Sequence, residues 1–219
     1  MIKVYILKTE DIRKCDFAEL VNALPFGDAE RQRLFAIGNS KHKWESLGGL
    51  EALARLCREM GMKGELDIER SPTGKPYFRS LPSTGFGISH SHGIAAAAVD
   101  TAGHGELGFD VEVINESYDF AGISNRFFTE DEKRLLDKKG NTSECFFRLW
   151  TAKEAQAKSD GRGLSALLGK DYAPADGIHL WQRIIETDGK RLCVALCRKN
   201  QIRSVKIYTD GEDSYEIQN

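Results

Sequence analysis

The sequence of 219 residues predicts an α+β fold. Apolar residues recur at helical spacing within residues 28–60, and over residues 66–99 the pattern changes to short segments separated by turn residues. The same order returns in the second half, where helical patterns at residues 123–139 and 144–159 precede strand-like runs from Ile178 onward. Helices and strands segregated along the chain in this way indicate an α+β class. The order suggests an internal duplication, although residue identity shows no repeat.

The first half begins with the apolar run MIKVYILK, which we interpret as a first strand. The run meets charged residues within a few positions and is too short for a signal sequence or a membrane span. One or two helices are expected over residues 28–60, because apolar residues follow the Gly48-Gly49 pair at helical spacing. The turn-forming sequences SPTGKP, LPSTGFG and SHG then separate short strands, and GIAAAAVD indicates a buried strand.

In the second half, FDVEVI alternates apolar with acidic residues at period two, which predicts a strand with two different faces. Two helices are expected next, over residues 123–139 and 144–159. In the first of these, Thr129 is a candidate N-cap, and Glu132 follows at the spacing of a capping box. The runs HLWQRIIET, KRLCVALCRK and RSVKIYT predict three strands separated by turns.

Composition and charge restrict the classes of partner. The chain carries 31 Lys and Arg residues against 33 Asp and Glu residues, a formal charge of −2, which gives no overall attraction to nucleic acid or to an anionic membrane. We therefore expect no nucleic-acid partner and no membrane partner. The five cysteines are odd in number and show no CxxC spacing, which argues against a disulfide framework and a structural zinc site and fits a reducing cytoplasm.

The segment GHGELG, at residues 103–108, matches the pattern GxGxxG of dinucleotide-binding sites. Such a site needs a strand before the glycines and a helix after them. Here the strand-like FDVEVI follows, so we interpret the segment as a glycine-rich connection.

Asp110 and Glu112 are the first candidates for chemistry. Residues two apart in a strand project from the same face, so the two carboxylates would lie about 7 Å apart, with Phe109, Val111 and Val113 on the opposite face. Such a pair can bind a cation. The alternative is a solvated strand face, because alternating acidic and apolar residues are ordinary in half-exposed sheets.

A third carboxylate, Glu154, lies in the helical segment LWTAKEAQAK. At helical spacing it shares one face with Phe147, Trp150 and Lys158, so aromatic residues give way to charges along one stripe. Either the helix leaves the core after Trp150, or Glu154 is held inside beside a cation. The simpler alternative is an exposed ion pair between Glu154 and Lys158. Three carboxylates without nearby Cys or His donors would suit Mg²⁺, which usually shares its coordination with substrate phosphate.

Several cationic side chains could bind such a phosphate. Lys153 and Lys158 flank the third carboxylate, and Lys75 lies in a Gly-Lys-Pro turn that can present a cation together with backbone amides. Each of these lysines could equally be solvated. His90 and His92 share a face at period two, which is compatible with a metal pair, an anion site or a polar strand end.

Taken in order, the segments GKPYF, ISHS, GFDVEVI and FFTEDE, followed by LWTAKEAQAK, resemble the 4′-phosphopantetheinyl transferase superfamily, of the surfactin-synthetase type. The matching motifs extend over residues 74–158. Two patterns are specific in this order, G-x-D-x-E and W-x-x-K-E-x-x-x-K, and they are formed by Gly108, Asp110, Glu112, Trp150, Lys153, Glu154 and Lys158.

The resemblance implies two similar α/β halves related by a pseudo-twofold axis, each with a mainly antiparallel sheet and packed helices. We expect these halves to be residues 1–105 and 106–219, with the magnesium-binding motifs in the second half and the active site in the cleft between them. The implied reaction is Mg²⁺-dependent transfer of 4′-phosphopantetheine from coenzyme A to a serine of an apo acyl or peptidyl carrier protein, with release of adenosine 3′,5′-bisphosphate. The chain is expected to act as a cytoplasmic monomer.

The resemblance also implies roles for individual residues. Asp110, Glu112 and Glu154 would be the ligands of Mg²⁺, and either Glu154 or a metal-bound water would take the proton of the carrier serine. Lys158 would be a further catalytic residue, placed at the pyrophosphate. Ser89 and His90 would contact the 3′-phosphate. The full set assigned to coenzyme A is Lys43, Gly74, Lys75, Pro76, Ser89, His90, Lys153 and Lys158.

The sequence departs from the family pattern in two places. The pair Phe-Gly at residues 86–87 stands where a phenylalanine-asparagine pair is expected, so a side chain able to brace the loop is missing. Near the start, the family often has an arginine before a leucine-glycine step, and here Trp44 or Lys43 stands at that place, depending on a one-residue gap. We assign the 3′-phosphate contact to Lys43, with Arg31 or Arg33 as further candidates. As an alternative, all three are solvated helix charges.

Two other functions would fit the same residues. A Mg²⁺-dependent phosphohydrolase would use the three carboxylates with water as the nucleophile, acting on a nucleotide or on the pyrophosphate of coenzyme A. A non-catalytic module would bind coenzyme A or a nucleotide, with a structural acidic cluster. Release of phosphate without a protein acceptor would indicate the first, and binding without turnover would indicate the second.

Overall fold

The computed structural model describes residues 1–102, 105–161, 163, 177–210 and 212–218. Its strands are β1 (Ile2–Lys8), β2 (Ile68–Arg70), β3 (Pro76–Phe78), β4 (Phe86–Ser91), β5 (Ile94–Asp100), β6 (Gly108–Val113), β7 (Ile178–Thr187), β8 (Lys190–Lys199), β9 (Ser204–Thr209) and β10 (Glu212–Gln218). Its helices are α1 (Thr9–Ile12), α2 (Phe17–Ala23), α3 (Asp28–Ala36), α4 (Ser40–Glu59), α5 (Ala121–Phe127), α6 (Glu130–Lys138) and α7 (Ser143–Asp160). This mixture of helices and mainly antiparallel strands agrees with the predicted α+β class.

A five-stranded sheet has the strand order β10-β9-β1-β5-β4. β1 pairs antiparallel with β5 and parallel with β9. All residues of β5, IAAAAVD, are buried, which confirms the buried strand predicted there. The small alanines let α4 approach closely, since a Cβ built on Gly48 would lie only 2.7 Å from the Cβ of Ala95. Close packing on the sheet therefore explains the glycine pair in the middle of α4.

The second sheet is antiparallel and has the order β6-β8-β7. α7 packs against β6 and β8. The closest approach is at Gly108, where a built Cβ would overlap the carbonyl oxygen of Ala155 and lie 2.7 Å from the Cβ of Ser159. The glycine thus lets the C-terminal part of α7 lie directly on β6.

The two sheets pack face to face, with the long helices on the outside. Ile2 and Val4 of β1 form a buried cluster with Phe109 and Val111 of β6, between the sheets. On the outer face of the first sheet, α4 forms a second buried cluster with the remaining residues of β5. On the outer face of the second sheet, α7 contacts β8 through Ala155. The order of layers is therefore α4, first sheet, second sheet, α7.

The predicted boundary between residues 105 and 106 does not separate the two sheets. β9 and β10 come from the second half of the sequence, yet they extend the sheet that contains β1, and Ile2 lies opposite Val205. The five-stranded sheet is thus built from both halves. The adjacent strands β1-β5-β4 follow the order first, third, second along the chain, and β6-β8-β7 repeats that order.

The local sequence patterns located most helices and strands, but they joined two helices into one and left three short elements unpredicted. β1, β7, β8 and β9 lie where strands were predicted, and residues 28–60 form the helices α3 and α4. The single helix expected over residues 123–139 is wrong, because α5 ends at Phe127 and α6 begins at Glu130. Thr129 caps α6 in the predicted capping box with Glu132. An N-cap residue has extended backbone geometry, so the same cap interrupts the helix. Neither the short helices α1 and α2 nor β10 was predicted.

Three further sequence predictions concern the cysteines, membrane spans and the GHGELG segment. All five cysteines are free thiols. In the described part of the chain, no helix combines the length and the apolar character needed to cross a membrane. Residues 103 and 104 of the GHGELG segment lie outside the described residues, but β6 begins at Gly108, so a strand rather than a helix follows the glycines. This agrees with the rejection of a dinucleotide site.

Candidate functional site

A cavity of about 330 Å³ opens between the two halves of the sequence. Its walls come from α3, α4, β4, the turn between β2 and β3, and the C-terminal end of α7. The cationic residues that line it are Arg33, Arg70, Lys75 and Lys158, and His90 adds an imidazole whose pKa is lowered by burial. The cavity is therefore suited to an anionic ligand.

Asp110 and Glu112 lie on the same face of β6, as predicted, while Phe109 and Val111 point into the core between the sheets. β4 lies next to β6, and two of its serines reach the two carboxylates. Ser89 Oγ donates to Asp110 Oδ1 at 2.7 Å, and Ser91 Oγ donates to Glu112 Oε2 at 2.5 Å. Because side chains two residues apart project from the same face of a strand, each serine of β4 lies beside one carboxylate of β6.

The helix α7 does not leave the core after Trp150. Ala155 and Ala157, further along it, are buried, and the Trp150 indole donates to Glu112 Oε1 at 3.2 Å. Lys158 Nζ donates to Asp110 Oδ1 at 2.7 Å and to Ser89 Oγ at 3.1 Å. Lys158 thus pairs with Asp110, and the exposed pair with Glu154 considered as the simpler alternative is not formed.

The carboxylates carry more negative charge than the one lysine can neutralise. Burial and the charge of Asp110 raise the pKa of Glu112 to about 7, although hydrogen bonds from Ser91 and Trp150 act in the opposite direction. Burial also raises the pKa of Glu154, against the opposing charge of Lys158. Burial alone would lower the pKa of Lys158, but Asp110 and Glu154 outweigh it and raise that pKa. An added cation would stabilise all three carboxylates.

The donor set fits a divalent cation. Asp110 Oδ2 is buried and has no hydrogen-bond partner among the residues that the structure describes. No hydrogen bond from the described residues reaches the carboxylate of Glu154 either. The buried Oδ2 of Asp110, which has no donor, is costly unless a cation satisfies it, and the half-buried Glu154 is free to bind the same cation. Oxygen donors of this kind are the ligands that Mg²⁺ prefers.

The turn between β2 and β3 brings a second group of predicted residues to the same cavity. Gly74, Lys75 and Pro76 all line it, and Gly74 has a φ of 86°, which favours glycine. Lys75 Nζ donates to the carbonyl oxygen of Ser159 at the end of α7. The turn and α7 therefore contact each other, although 84 residues separate them in the sequence.

Lys153, predicted to bind coenzyme A, is placed elsewhere. Its side chain is 1% exposed, and Nζ donates to both carboxylate oxygens of Glu132 at 2.8 and 2.9 Å. A buried ammonium needs a counter-charge, and Glu132 of α6 supplies it. Lys153 thus joins α6 to α7 and is not among the residues that line the cavity, so its assignment to coenzyme A stays a prediction without support from this geometry.

Lys43 is also placed away from the cavity lining. Its Nζ lies 4.1 Å from the centroid of the Phe17 ring, and Trp44 packs edge to face on the same ring. Arg31 pairs with Asp28 on the surface of α3. Of the N-terminal basic candidates, Arg33 alone is among the lining residues described here.

Three contributing residues were missed from the sequence. Arg70 lines the cavity because it pairs in register with Pro76 across the β2–β3 hairpin, and only that register could have indicated it. Ser91 and Trp150 hold the two oxygens of Glu112. For Ser91 the signal was the match between Ser89-x-Ser91 and Asp110-x-Glu112, which becomes visible once β4 and β6 are known to be neighbours.

Comparison with known proteins identifies relatives of this chain in one protein family. The family model described as the 4′-phosphopantetheinyl transferase superfamily matches residues 106–217, more than half of the chain. The 4′-phosphopantetheinyl transferase psf-1 of Bacillus pumilus is 40% identical over 103 residues, which cover 46% of this chain and 42% of that protein. For the 4′-phosphopantetheinyl transferase Sfp of Bacillus subtilis, the identity is 32% over 105 residues, covering 47% of this chain and 45% of the relative.

A longer match reaches into the first half. The 4′-phosphopantetheinyl transferase HetI of Nostoc sp. is 30% identical over 155 residues, which cover 68% of this chain and 60% of HetI. The chain thus spans about half the length of the curated relatives that it matches. The resemblance predicted from the motifs is confirmed, and the chain belongs to the 4′-phosphopantetheinyl transferase superfamily.

Proposed function

We propose that this chain transfers 4′-phosphopantetheine from coenzyme A to a serine of an apo acyl or peptidyl carrier protein. The observation that carries the proposal is the meeting of Asp110, Glu112 and Lys158 beside a cavity lined by cationic residues. An acidic centre next to a basic pocket suits a ligand that has both a pyrophosphate and a separate phosphate. Coenzyme A has both groups.

Asp110, Glu112 and Glu154 would hold Mg²⁺ at this centre. The fit rests on the unpartnered Oδ2 of Asp110 and on the oxygen-only donor set. When bound, the ion would neutralise charge on the pyrophosphate. Ser91 and Trp150 fix both oxygens of Glu112, so this ligand is oriented before any cation arrives.

The side chains divide the reaction between them. In the reaction the serine oxygen attacks the β-phosphorus of coenzyme A, and the bond from that phosphorus to the bridging oxygen breaks, so adenosine 3′,5′-bisphosphate leaves. Lys158 would hold the pyrophosphate oxygens, because its ammonium already faces Asp110 at the edge of the cavity. Glu154, one helical turn before Lys158, would accept the serine proton.

The other end of the cavity would bind the adenosine and the 3′-phosphate. Lys75, Arg33 and Arg70 supply the cationic groups there, and His90 adds an imidazole that can hydrogen-bond a phosphate. Arg33 and Arg70 each pair with Glu30, at 2.7 and 2.6 Å. A phosphate would therefore meet two guanidinium groups that Glu30 already orients.

The same proposal includes the two similar halves and the cleft between them. The repeated strand order, β1-β5-β4 and β6-β8-β7, supports it, as does the long helix packed on the outer face of each sheet. We place the reaction in the cytoplasm and expect a monomer to suffice. The five free thiols are compatible with that compartment.

Intact-mass measurement of apo carrier proteins tests the reaction. After incubation with the chain, coenzyme A and Mg²⁺, the carrier should gain the mass of one phosphopantetheinyl group, and adenosine 3′,5′-bisphosphate should appear. An Asp110→Ala variant should lose this activity. The control, Glu130→Gln, changes an exposed carboxylate on α6 and should keep it. Unchanged carrier mass with release of phosphate would favour the phosphohydrolase, and ligand binding without turnover would favour a binding module.

A further inference from the structure

A second group of potential metal ligands lies on the other side of β4. His42 and Glu45, three residues apart, project from the same side of α4. His90 projects toward them from β4, because successive residues of a strand alternate and Ser89 faces β6. One ligand atom from each of the three residues lies within 4.8 Å of the other two.

The carboxylate of Glu45 is the unusual member of this group. The residue is 8% exposed, and no hydrogen bond from the described residues reaches its carboxylate. The nearest basic nitrogen atoms are His90 Nδ1 at 3.6 Å and Lys41 Nζ at 3.8 Å, both beyond hydrogen-bonding distance. The Lys41 side chain is 73% exposed and is therefore a weak partner. A carboxylate that is so little exposed and has no donor would be stabilised by an ion that completes its contacts.

We propose that His42, Glu45 and His90 bind a divalent transition-metal ion, with Zn²⁺ as the best match. Two imidazole nitrogens and one carboxylate oxygen are donors that Zn²⁺ accepts, and such three-ligand sites leave a fourth position open. Mg²⁺, in contrast, prefers oxygen donors and an octahedral arrangement. This donor set is therefore chemically distinct from Asp110, Glu112 and Glu154.

The geometry needs only a local adjustment. Donor atoms around a tetrahedral Zn²⁺ lie roughly 3.4 Å apart, given metal–ligand distances of about 2.0–2.2 Å. The two imidazole ring centroids are 5.8 Å apart, and His42 is exposed, so its ring can rotate toward His90 without disturbing packed side chains. The backbone N–H of His42 donates to Asn39 Oδ1, which holds this turn of α4 in place whatever the side chain does.

The site borders the cavity, since His90 and Ser46, the neighbour of Glu45, both line it. Water or an anionic group from the cavity would complete the coordination of the ion. His90 could then meet a phosphate directly only in the zinc-free protein. The inference does not depend on the proposed transfer reaction, because binding of the ion is measurable without a carrier protein or coenzyme A.

Calorimetric titration with ZnCl₂ provides the test. The full chain is freed of metal with a chelator and equilibrated with excess Mg²⁺, which occupies oxygen-only sites. We expect one Zn²⁺ per chain. A His42→Gln variant should bind at least about tenfold more weakly, since loss of even a supporting partner of a ligand costs about 10–100-fold. The control His179→Gln, which replaces an exposed histidine on β7, should bind like the parent chain.

A second measurement distinguishes loss of the zinc site from altered folding of a variant. Zn²⁺ should raise the thermal midpoint of the parent chain and of an Asp110→Asn variant, but much less that of His42→Gln. Equal Zn²⁺ affinity in the parent and in His42→Gln would overturn the site. So would loss of binding in Asp110→Asn with retention in His42→Gln, because the ion would then belong to the acidic centre. Absence of Zn²⁺ binding to a chain that still transfers phosphopantetheine would overturn this inference alone.

Discussion

Gly108 determines how closely α7 lies on β6. This distance matters for the site, because Asp110 on β6 hydrogen-bonds Lys158 on α7. A Cβ at position 108 would overlap a backbone carbonyl oxygen of the helix, which cannot move aside as a flexible side chain would. The glycine of the G-x-D-x-E motif thus has a packing reason that is separate from the chemistry of the two carboxylates.

We therefore predict that Gly108→Ala destabilises the protein and separates Lys158 from Asp110. Overpacking of this kind costs about 1–3 kcal/mol of unfolding free energy, and the backbone contact favours the upper end. Denaturant unfolding would measure the stability, and a titration with coenzyme A in Mg²⁺ would measure the binding. Gly122→Ala on α5 is the matched control: no atom lies within 4 Å of its built Cβ, so stability should stay equal or rise slightly. Equal behaviour of the two variants would contradict the packing argument.

The cysteines differ in burial, which leads to a prediction about their reactivity. Burial raises the pKa of Cys57 and of Cys193 to about 12, so at neutral pH only a very small fraction of each is the reactive thiolate. Cys15 is exposed. A disulfide reagent should label Cys15 rapidly in the folded chain, and Cys57 and Cys193 only after unfolding. Cys145 is half-buried, so the control is a Cys15→Ser/Cys145→Ser variant: a rapid phase that remained in it would show that the buried thiols are accessible.

Among the secondary-structure elements, α6 is held to α7 by one buried ion pair. Both oxygens of Glu132 accept from Lys153, and Glu132 Oε2 also accepts from the backbone N–H of Thr129 in the capping box. One carboxylate therefore fixes the start of α6 and its position against α7. This double role explains why a lysine from the W-x-x-K-E-x-x-x-K motif points away from the cavity.

For this pair we predict a loss of stability without a loss of ligand affinity. Lys153→Ala removes the ammonium group that faces a buried carboxylate, and breaking a buried ion pair in this way costs about 3–5 kcal/mol. Lys133→Ala, which breaks the pair of Lys133 with the exposed Glu130, should cost only about 0–1 kcal/mol. Thermal or denaturant unfolding would give both values. If folded Lys153→Ala lost affinity for coenzyme A as strongly as Lys158→Ala, the predicted assignment of Lys153 to the ligand would be supported instead.

The sequence predicted the elements better than their contacts. Period two placed Asp110 and Glu112 on one face, and helical spacing placed Glu154 on one stripe with Trp150 and Lys158, because both patterns depend on neighbours a few residues apart. The partner of Lys153 lies 21 residues away on another helix, and nothing local distinguishes it from an ordinary cap residue. Arg70 reaches the cavity through a hairpin register for the same reason. Contacts between distant segments require the fold.

At the scale of the whole molecule, the two halves of the sequence share one core. β9 and β10 extend the first sheet, and the two sheets pack face to face. A buried ion pair adds a polar connection: Arg198 Nη1 of β8 donates to Asp100 Oδ2 of β5 at 2.6 Å. Both side chains are almost fully buried, so water can replace neither partner without local opening. Separate folding of residues 1–105 is not expected from this arrangement.

This shared core predicts that the protein unfolds as one cooperative unit, and a residue of β9 offers the sharpest test. Ile207 belongs to the second half of the sequence but is buried in the first sheet opposite Val4. Ile207→Ala should cost about 2–5 kcal/mol and should lower the amide protection of β5 and of β8 by the same amount in hydrogen exchange. Leu135→Ala, at an exposed position on α6, should change neither. A different result would contradict this prediction: lower protection in β8 with unchanged protection in β5. The two halves would then unfold separately, and the folding units would follow the predicted boundary near residue 105 and not the two sheets.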